Sequence, residues 1–535
     1  MVSIRFHTSH VRTRKTWGNP PQKLSEKGEI MSLKIYPITK SDPVHDGYSV
    51  KINGKEVELH TARVSAVPFN RRWPGHQRSV DQTELINFIS LEADEPLNFE
   101  ITARDEFEKV EIRPVTLDVK PQLSDNKNIA FTVNSPAYFT VEPYGRQNAL
   151  HVFVDPISNY NIDKRSDAVI YFGKGEHDVG MIHLQSNQTL FIDEGAVVYA
   201  CVRAIDAENI KIIGRGILDN SKNKAKILFE ASEDNNSAPV NNAIREHTIQ
   251  LEYCTNIKIE GITIRDSLVY NIKPVACKNI DISNVKIIGC WRYNSDGIDM
   301  HNCENVKIDN CFIRTFDDSI CVKGFDCFYE GDIEKAVHAA MYRNGKSYDI
   351  FKNVRISNCV IWNDWGKSLE IGAETRGEEI YDVVYDNCHI IHVTGRVLDC
   401  MNVDYAHVHD VTYQNITIEL DDVIPPMITQ KTEDQKYENN DTDYAPFVLS
   451  SQILYHKEYS AKGERRGKNT DFTYKNIQIY GRQTPKFDFS GYDEEHKVAN
   501  VTAKEIYLNG KPIGNDEYTL KANEFSENIN IIITE

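Results

Sequence analysis

From Ala207 onward one short pattern of apolar and polar positions recurs along the chain. "AENIKI" begins at Ala207, "CTNIKI" at Cys254, "CKNIDI" at Cys277, "CENVKI" at Cys303, "FKNVRI" at Phe351, "IYDVVY" at Ile380 and "VHDVTY" at Val408. Asn256, Asn279 and Asn305 lie 23 and 26 residues apart, while Asn209 to Asn256 spans 47 and Asn305 to Asn353 spans 48, as one coil or two would give. Each unit continues into a second short run such as "GITI", "NCFI" or "NITI". Short β-branched strands of this kind cannot bury their apolar faces singly, and stacking does it for all of them. The period therefore predicts a right-handed parallel β-helix of roughly a dozen coils over residues 161–535. A leucine-rich repeat would need a Leu-rich consensus, which is absent.

Residues 31–160 read differently. Alternating runs such as "YSVKINGKEVELH", "LNFEITAR" and "NALHVFVDP", parted by Pro, Gly, Asn and Asp, predict an all-β sandwich, with Asn53-Gly54 at the tip of a tight hairpin. The basic, unpatterned stretch Met1 to Ile30 reads as a disordered tail or a start site called too early, since Met31 opens the regular part.

With 79 acidic against 61 basic residues the net charge of -18 argues against a nucleic-acid partner. No run approaches the roughly 20 apolar residues of a membrane span, and no apolar leader opens the chain, so a cytoplasmic protein is expected. The 11 cysteines are scattered, without zinc spacing, and read as small apolar fillers of stacked positions; neither a metal nor a cofactor is expected.

Within the coil frame the 21 residues from Asp296, in "NSDGIDM", to Asp317 and Asp318, in "FDDSICVKG", amount to about one turn. Three carboxylates should then share one face on neighbouring rungs, ~4.8 Å apart along the axis. Such crowding lets one acid stay protonated beside another that stays a base.

These residues resemble a known family. "NSDGID", "DDSICVKG" and "WGKSLEIGAE", preceded by "DSLVYNIKPVACKNIDISNVKI", are similar to the marks of glycoside hydrolase family 28, the polygalacturonase-like enzymes: Asn-Thr-Asp-Gly, Asp-Asp, Gly-His-Gly and Arg-Ile-Lys. Family 49, the dextranases and isopullulanases, pairs a similar three-aspartate β-helix with a β-sandwich and stands close by. The resemblance implies an inverting glycosidase acting on an oligo- or polysaccharide, pectin-type galacturonan first; the long insertions, expected to close the cleft, point to action from the chain end. Asp317 would be the general acid, with Asp296 and Asp318 activating water across the wider gap of inverting enzymes, about 6.5 to 9.5 Å. Asp299 would support the turn.

Two departures from the marks stand out. Lys367 replaces the histidine of the third, and the fourth reads "GRVLD", keeping Arg396 but setting Leu398 where the family has lysine. Lys367 and Arg396 are thus the expected readers of a substrate carboxylate, joined in the substrate site by Lys323, Tyr270, Asn294 and Glu370. Trp291, Tyr293, Trp362 and Trp365 are candidates for stacking on sugar rings. The insertion Phe325 to Asp349, partly helical, is expected to close one end of the groove, and Pro425 to Pro446 to form a loop over it. The competing readings are a glucan hydrolase of the family 49 kind, a β-helix lyase or epimerase, and a carbohydrate-binding solenoid without catalysis.

Overall fold

The computed structural model describes residues 33–533 apart from 41, 67–79, 81–82, 135, 223–245, 327–330, 422–445, 458 and 462–464. The tail read at Met1 to Ile30 and nearly all of the loop read at Pro425 to Pro446 lie outside the described residues.

Two sheets occupy the first part of the chain. One, of five strands, includes the hairpin Tyr48–Ile52 and Lys55–Val57; the other, of six, ends in Leu150–Asp155. At the hairpin tip Asn53 and Gly54 both take positive φ, 49° and 74°, the twist a two-residue turn requires. Phe99, Phe131, Phe139 and Val152 fill the space between the sheets.

From Val169–Phe172 the chain winds into a right-handed parallel β-helix with three ladders of strands per coil. The first ladder holds twelve strands among the described residues, from Val169–Phe172 through Glu208–Gly214, Lys278–Ser283 and Ile350–Ser357 to Ser526–Ile532. Its strands turn Ile and Val inward, where Ile210, Ile257, Ile280, Val306 and Val354 stack on one another. The asparagine of each repeat unit sits at φ of 56° to 58°, a conformation Asn tolerates better than most side chains. Its amide donates to the asparagine one coil earlier, from Asn353 back through Asn305, Asn279, Asn256 and Asn209 to Asn187, at 2.8 to 2.9 Å. The sequence period is therefore the rise of a continuous amide ladder.

The second ladder, which includes Phe312–Thr315 and Val360–Asn363, presents its outer face to the sandwich. Phe88, Tyr138 and Phe153 of the sandwich pack there on Phe312, Val360, Trp362 and Ile391. Buried charges fasten the same junction: Lys286 Nζ lies 2.7 Å from Asp155, and His392 bridges Asp421 at 2.6 Å and Glu142 at 3.0 Å. The third ladder faces away from the sandwich and carries the candidate site. All ten described cysteines are buried and outside any disulfide, as fillers should be.

The insertion is helical at Ile333–Met341, capped by Asp332. It lies along a flank of the third ladder, touching Asp206, Tyr253, Val275 and Arg376, and does not close an end of the groove. The reason is its root: it leaves from the turn after Lys323, and the turns of successive coils form a row along the axis.

Candidate active site

In the third ladder Ile298–His301, Ile320–Lys323, Leu369–Ala373 and Leu398–Asn402 pair in parallel. Strand alternation sends Ile298, Met300, Leu369 and Leu398 into the core and turns Asp299, Cys321, Glu370 and Asp399 outward in one file. Asp296 stands just before the first of these strands, and Asp317 and Asp318 occupy the turn just before the second.

That turn is held from below. The buried Asn363 amide donates to the carbonyl oxygens of Asp317 at 2.7 Å and Lys367 at 3.1 Å, and Thr315 Oγ1 donates to Asp317 O at 2.6 Å. Gly366 passes so close above that a Cβ there would meet the Asp317 carbonyl carbon at 2.5 Å, so only glycine lets the next coil lie on the aspartates.

The structure brings Asp296, Asp317 and Asp318 together, with one carboxylate oxygen of each within 4.8 Å of the others. Lys323 Nζ sits among them, 3.4 Å from Asp296, 3.2 Å from Asp299, 3.7 Å from Asp318 and 3.8 Å from Glu374. Asp299 lies in a strand and pairs with Lys323, so the turn-supporting role expected for it is corrected. Tyr270 is buried with its ring 5.2 Å from Lys323 Nζ, and the backbone N–H of Asn294 donates to Asp317 Oδ2 at 3.0 Å.

These neighbours split the acidities. Burial, then Asp299 and Asp317, push Asp296 well above the usual carboxylate range. Burial and the adjacent Asp318 push Asp317 up to about 8. Burial also opposes ionisation of Asp318, yet Lys323, Lys367 and hydrogen bonds from Glu370 and the Lys367 backbone N–H outweigh it and hold its pKa below the usual value. Burial, then Asp318, push Glu370 well above the usual carboxylate range, the direction that suits its hydrogen bond to that carboxylate. At neutral pH the two adjacent aspartates therefore differ in charge.

Lys367 and Arg396 reach the same strip. Lys367 Nζ pairs with Glu370 and lies 3.6 Å from Asp399; Arg396 Nη2 is 3.2 Å from Asp488, and its guanidinium stacks 4.2 Å over Phe447. Leu398, read as a lost groove lysine, points into the core, and the outward position beside it belongs to Asp399. Two of the aromatic candidates are corrected as well: Trp362 is wholly buried against the sandwich, and Tyr293 is buried against Phe316 and Trp365. Elsewhere Glu379, His407 and His409 also bring metal-capable atoms within 4.8 Å on the outside of the first ladder; there Asp410 engages His409 and Thr470 engages His407.

Sequence reasoning passed over Glu374, Asp399 and Asp488. The signal for the last two was strand position: Asp299, Glu370, Asp399 and Asp488 stand at one register of successive coils, separated there only by Cys321 and Ser450.

Known proteins are similar to large parts of this chain. A polygalacturonase of Gossypium barbadense is 29% identical over 214 residues, 37% of this chain and 49% of that protein. A "Probable exopolygalacturonase B" of Aspergillus terreus is 24% identical over 280 residues, 49% of this chain and 56% of that one. The chain thus spans about half the length of the curated relatives it matches. Among solved structures, Dex49A from Penicillium minioluteum matches in fold with a TM-score of 0.57 at 13% identity, covering 93% of this chain and 97% of that chain. Residues 174–481 match "Glycosyl hydrolases family 28", a span that begins in the first coils and encloses all three aspartates, and to that family the chain belongs.

Proposed function

We propose that the protein is an inverting glycoside hydrolase that cuts O-glycosidic bonds of a pectin-type polysaccharide from the chain end. The observation that carries the chemistry is the opposite shift of two adjacent carboxyls: Asp317 pushed up to about 8 and Asp318 held low. A protonated acid and an ionised base side by side are what bond cleavage with water activation requires. Asp317 gives its proton to the departing glycosidic oxygen, and Asp318 takes one from the attacking water. Asp296, beside Lys323, orients that water. The polysaccharide and the chain-end action are supported by the names of the relatives.

The closest carboxylate oxygens, within 4.8 Å, sit nearer than the separation expected of inverting enzymes. Inversion therefore rests on the acid and base pair, and the product decides it. Proton NMR of the first sugar released from a panel of pectic, glucan and mixed plant-wall oligosaccharides should show, on a pectic substrate, the anomer opposite to that of the substrate. A retained anomer would make one aspartate a nucleophile and overturn the roles. Release from glucans alone would favour the family 49 kind of activity, and no release from any would leave a binding solenoid.

A further inference from the structure

We infer that the sugar unit lying over Lys367 and Arg396 is neutral, not a uronate, and that Asp399 and Asp488 set this preference. The inference rests on the hydrolase reading above and narrows its substrate.

A groove that reads a uronate needs a cation whose own charge is not already matched, because a buried carboxylate must find a charged partner. The candidate cations here each have a carboxylate of the protein within 4.0 Å. Lys367 lies 3.6 Å from the Asp399 carboxylate, between the Glu370 carboxyl and the Met401 sulfur at 3.6 Å; its side chain is only 18% exposed. Arg396, 19% exposed, lies 3.2 Å from Asp488 and 3.7 Å from Asp399, and Phe447 covers one face of its guanidinium. Lys323 is surrounded by Asp296, Asp299, Asp318 and Glu374. Seven carboxyl groups thus stand within 4.0 Å of three cations: those four with Glu370, Asp399 and Asp488.

An incoming uronate would have to draw Lys367 or Arg396 away from Asp399 and leave that carboxylate, which is completely buried, without its partner. It would also meet the file of outward acids. Asp399 and Asp488 share one register, with Ser450 between them and Lys521, 3.0 Å from Asp488, on the following coil, so two buried acids line this part of the groove. A hydroxyl has no such conflict: it accepts hydrogen bonds from the ammonium or the guanidinium while both stay paired.

The test compares oligogalacturonides of one length carrying free, methyl-esterified or reduced carboxyl groups, which keep the stereochemistry and change only the charge. The unmutated enzyme should turn over an esterified or reduced form with kcat/KM at least tenfold above the free acid. Asp399→Asn and Asp488→Asn, checked for folding by circular dichroism, should shift that ratio tenfold or more toward the acid by releasing Lys367 and Arg396. A preference of the unmutated enzyme for the free acid overturns the inference and leaves the hydrolase reading intact. An unchanged ratio in both folded variants removes the role of these acids. Failure to cleave any form, together with no release from the plant-wall panel, is the separate failure of the hydrolase reading.

Discussion

The two long faces of the same helix obey different rules. On the first ladder each coil repeats its predecessor, Asn above Asn with amides joined at 2.8 to 2.9 Å, and the chemistry is local and uniform. On the third ladder the outward residue changes with nearly every coil, from Asp299 to Cys321, Glu370, Asp399, Ser450 and Asp488. The uniform face satisfies its polar groups coil by coil. The varied face crowds like charges and holds them with one buried lysine, an arrangement stability alone does not favour. The amide ladder builds a rigid frame, and the charge is concentrated where the frame keeps it fixed.

The sharpest way to break this comparison is at the aspartate whose proton is held. Asp317→Asn should lower kcat on a natural linkage by about 10² to 10⁴-fold, the range for a lost general acid, while a glycosyl fluoride of the right sugar, whose leaving group needs no proton, keeps measurable turnover. Asp318→Asn should lose both. Equal losses on both substrates for Asp317→Asn would take the acid role from it. The variant should unfold at no lower denaturant concentration than the parent, because the group it replaces is already neutral at pH 7.

Lys323 carries the next largest effect. Lys323→Met leaves Asp299, Asp318 and Glu374 without the buried ammonium they share, and removing one partner of a buried ion pair costs about 3 to 5 kcal/mol. Denaturant titration at pH 7 should find that loss, and part of it should return at lower pH as the carboxyls protonate. A loss under 1 kcal/mol, with the same pH dependence as the parent, would mean that the lysine does not hold this cluster.

Titration separates the site from the frame. Asp317 is protonated below about 8, so kcat on a natural linkage should fall as pH rises through that value, while fluoride hydrolysis, whose leaving group needs no proton, should lack this limb. His392, between the sandwich and the helix, responds in stability instead. Burial opposes its charge, but Glu142 and Asp421 outweigh this and raise its pKa. Its contribution is therefore complete below the unfolded value, about 6.5, and is lost as pH rises through the folded one. Asp421, whose pKa is lowered to about 2, contributes above the unfolded carboxylate value and loses that contribution only as pH falls toward 2. Unfolding at pH 5 should thus need more denaturant than at pH 8.5, and His392→Gln should flatten the difference.

The sequence made the uniform face readable because its period is written in residues that do one job, Asn in the left-handed region and Ile in the core. The meeting of Asp296, Asp317 and Asp318 was readable for the same reason, since 21 residues make about one coil. The varied face resisted. Asp399 and Asp488 carry no motif, and the insertion at Phe325 to Asp349 hides the register that relates Asp299 to Glu370. Leu398 was misplaced because a family mark fixes residue order, whereas strand alternation decides which side chain faces the groove. Trp362 was misread because the sandwich that buries it comes from residues more than 200 positions earlier.

The smallest expected effect tests the uniform face. Asn279 is exposed, sits at φ 56°, donates to Asn256 at 2.9 Å and accepts from Asn305 at 2.9 Å. Asn279→Gly keeps the backbone conformation cheap and removes only the two amide contacts, so it should cost about 1 to 2 kcal/mol at the usual net value per hydrogen bond. Asn279→Ala loses the same contacts and also forces a Cβ into the left-handed region, which adds about 1 kcal/mol. Denaturant midpoints of the two variants against the parent separate the terms, and kcat should not change in either. If Ala and Gly cost the same, conformation is not what selects Asn here; if Gly costs nothing, the amide ladder is a consequence of the coil and not one of its supports.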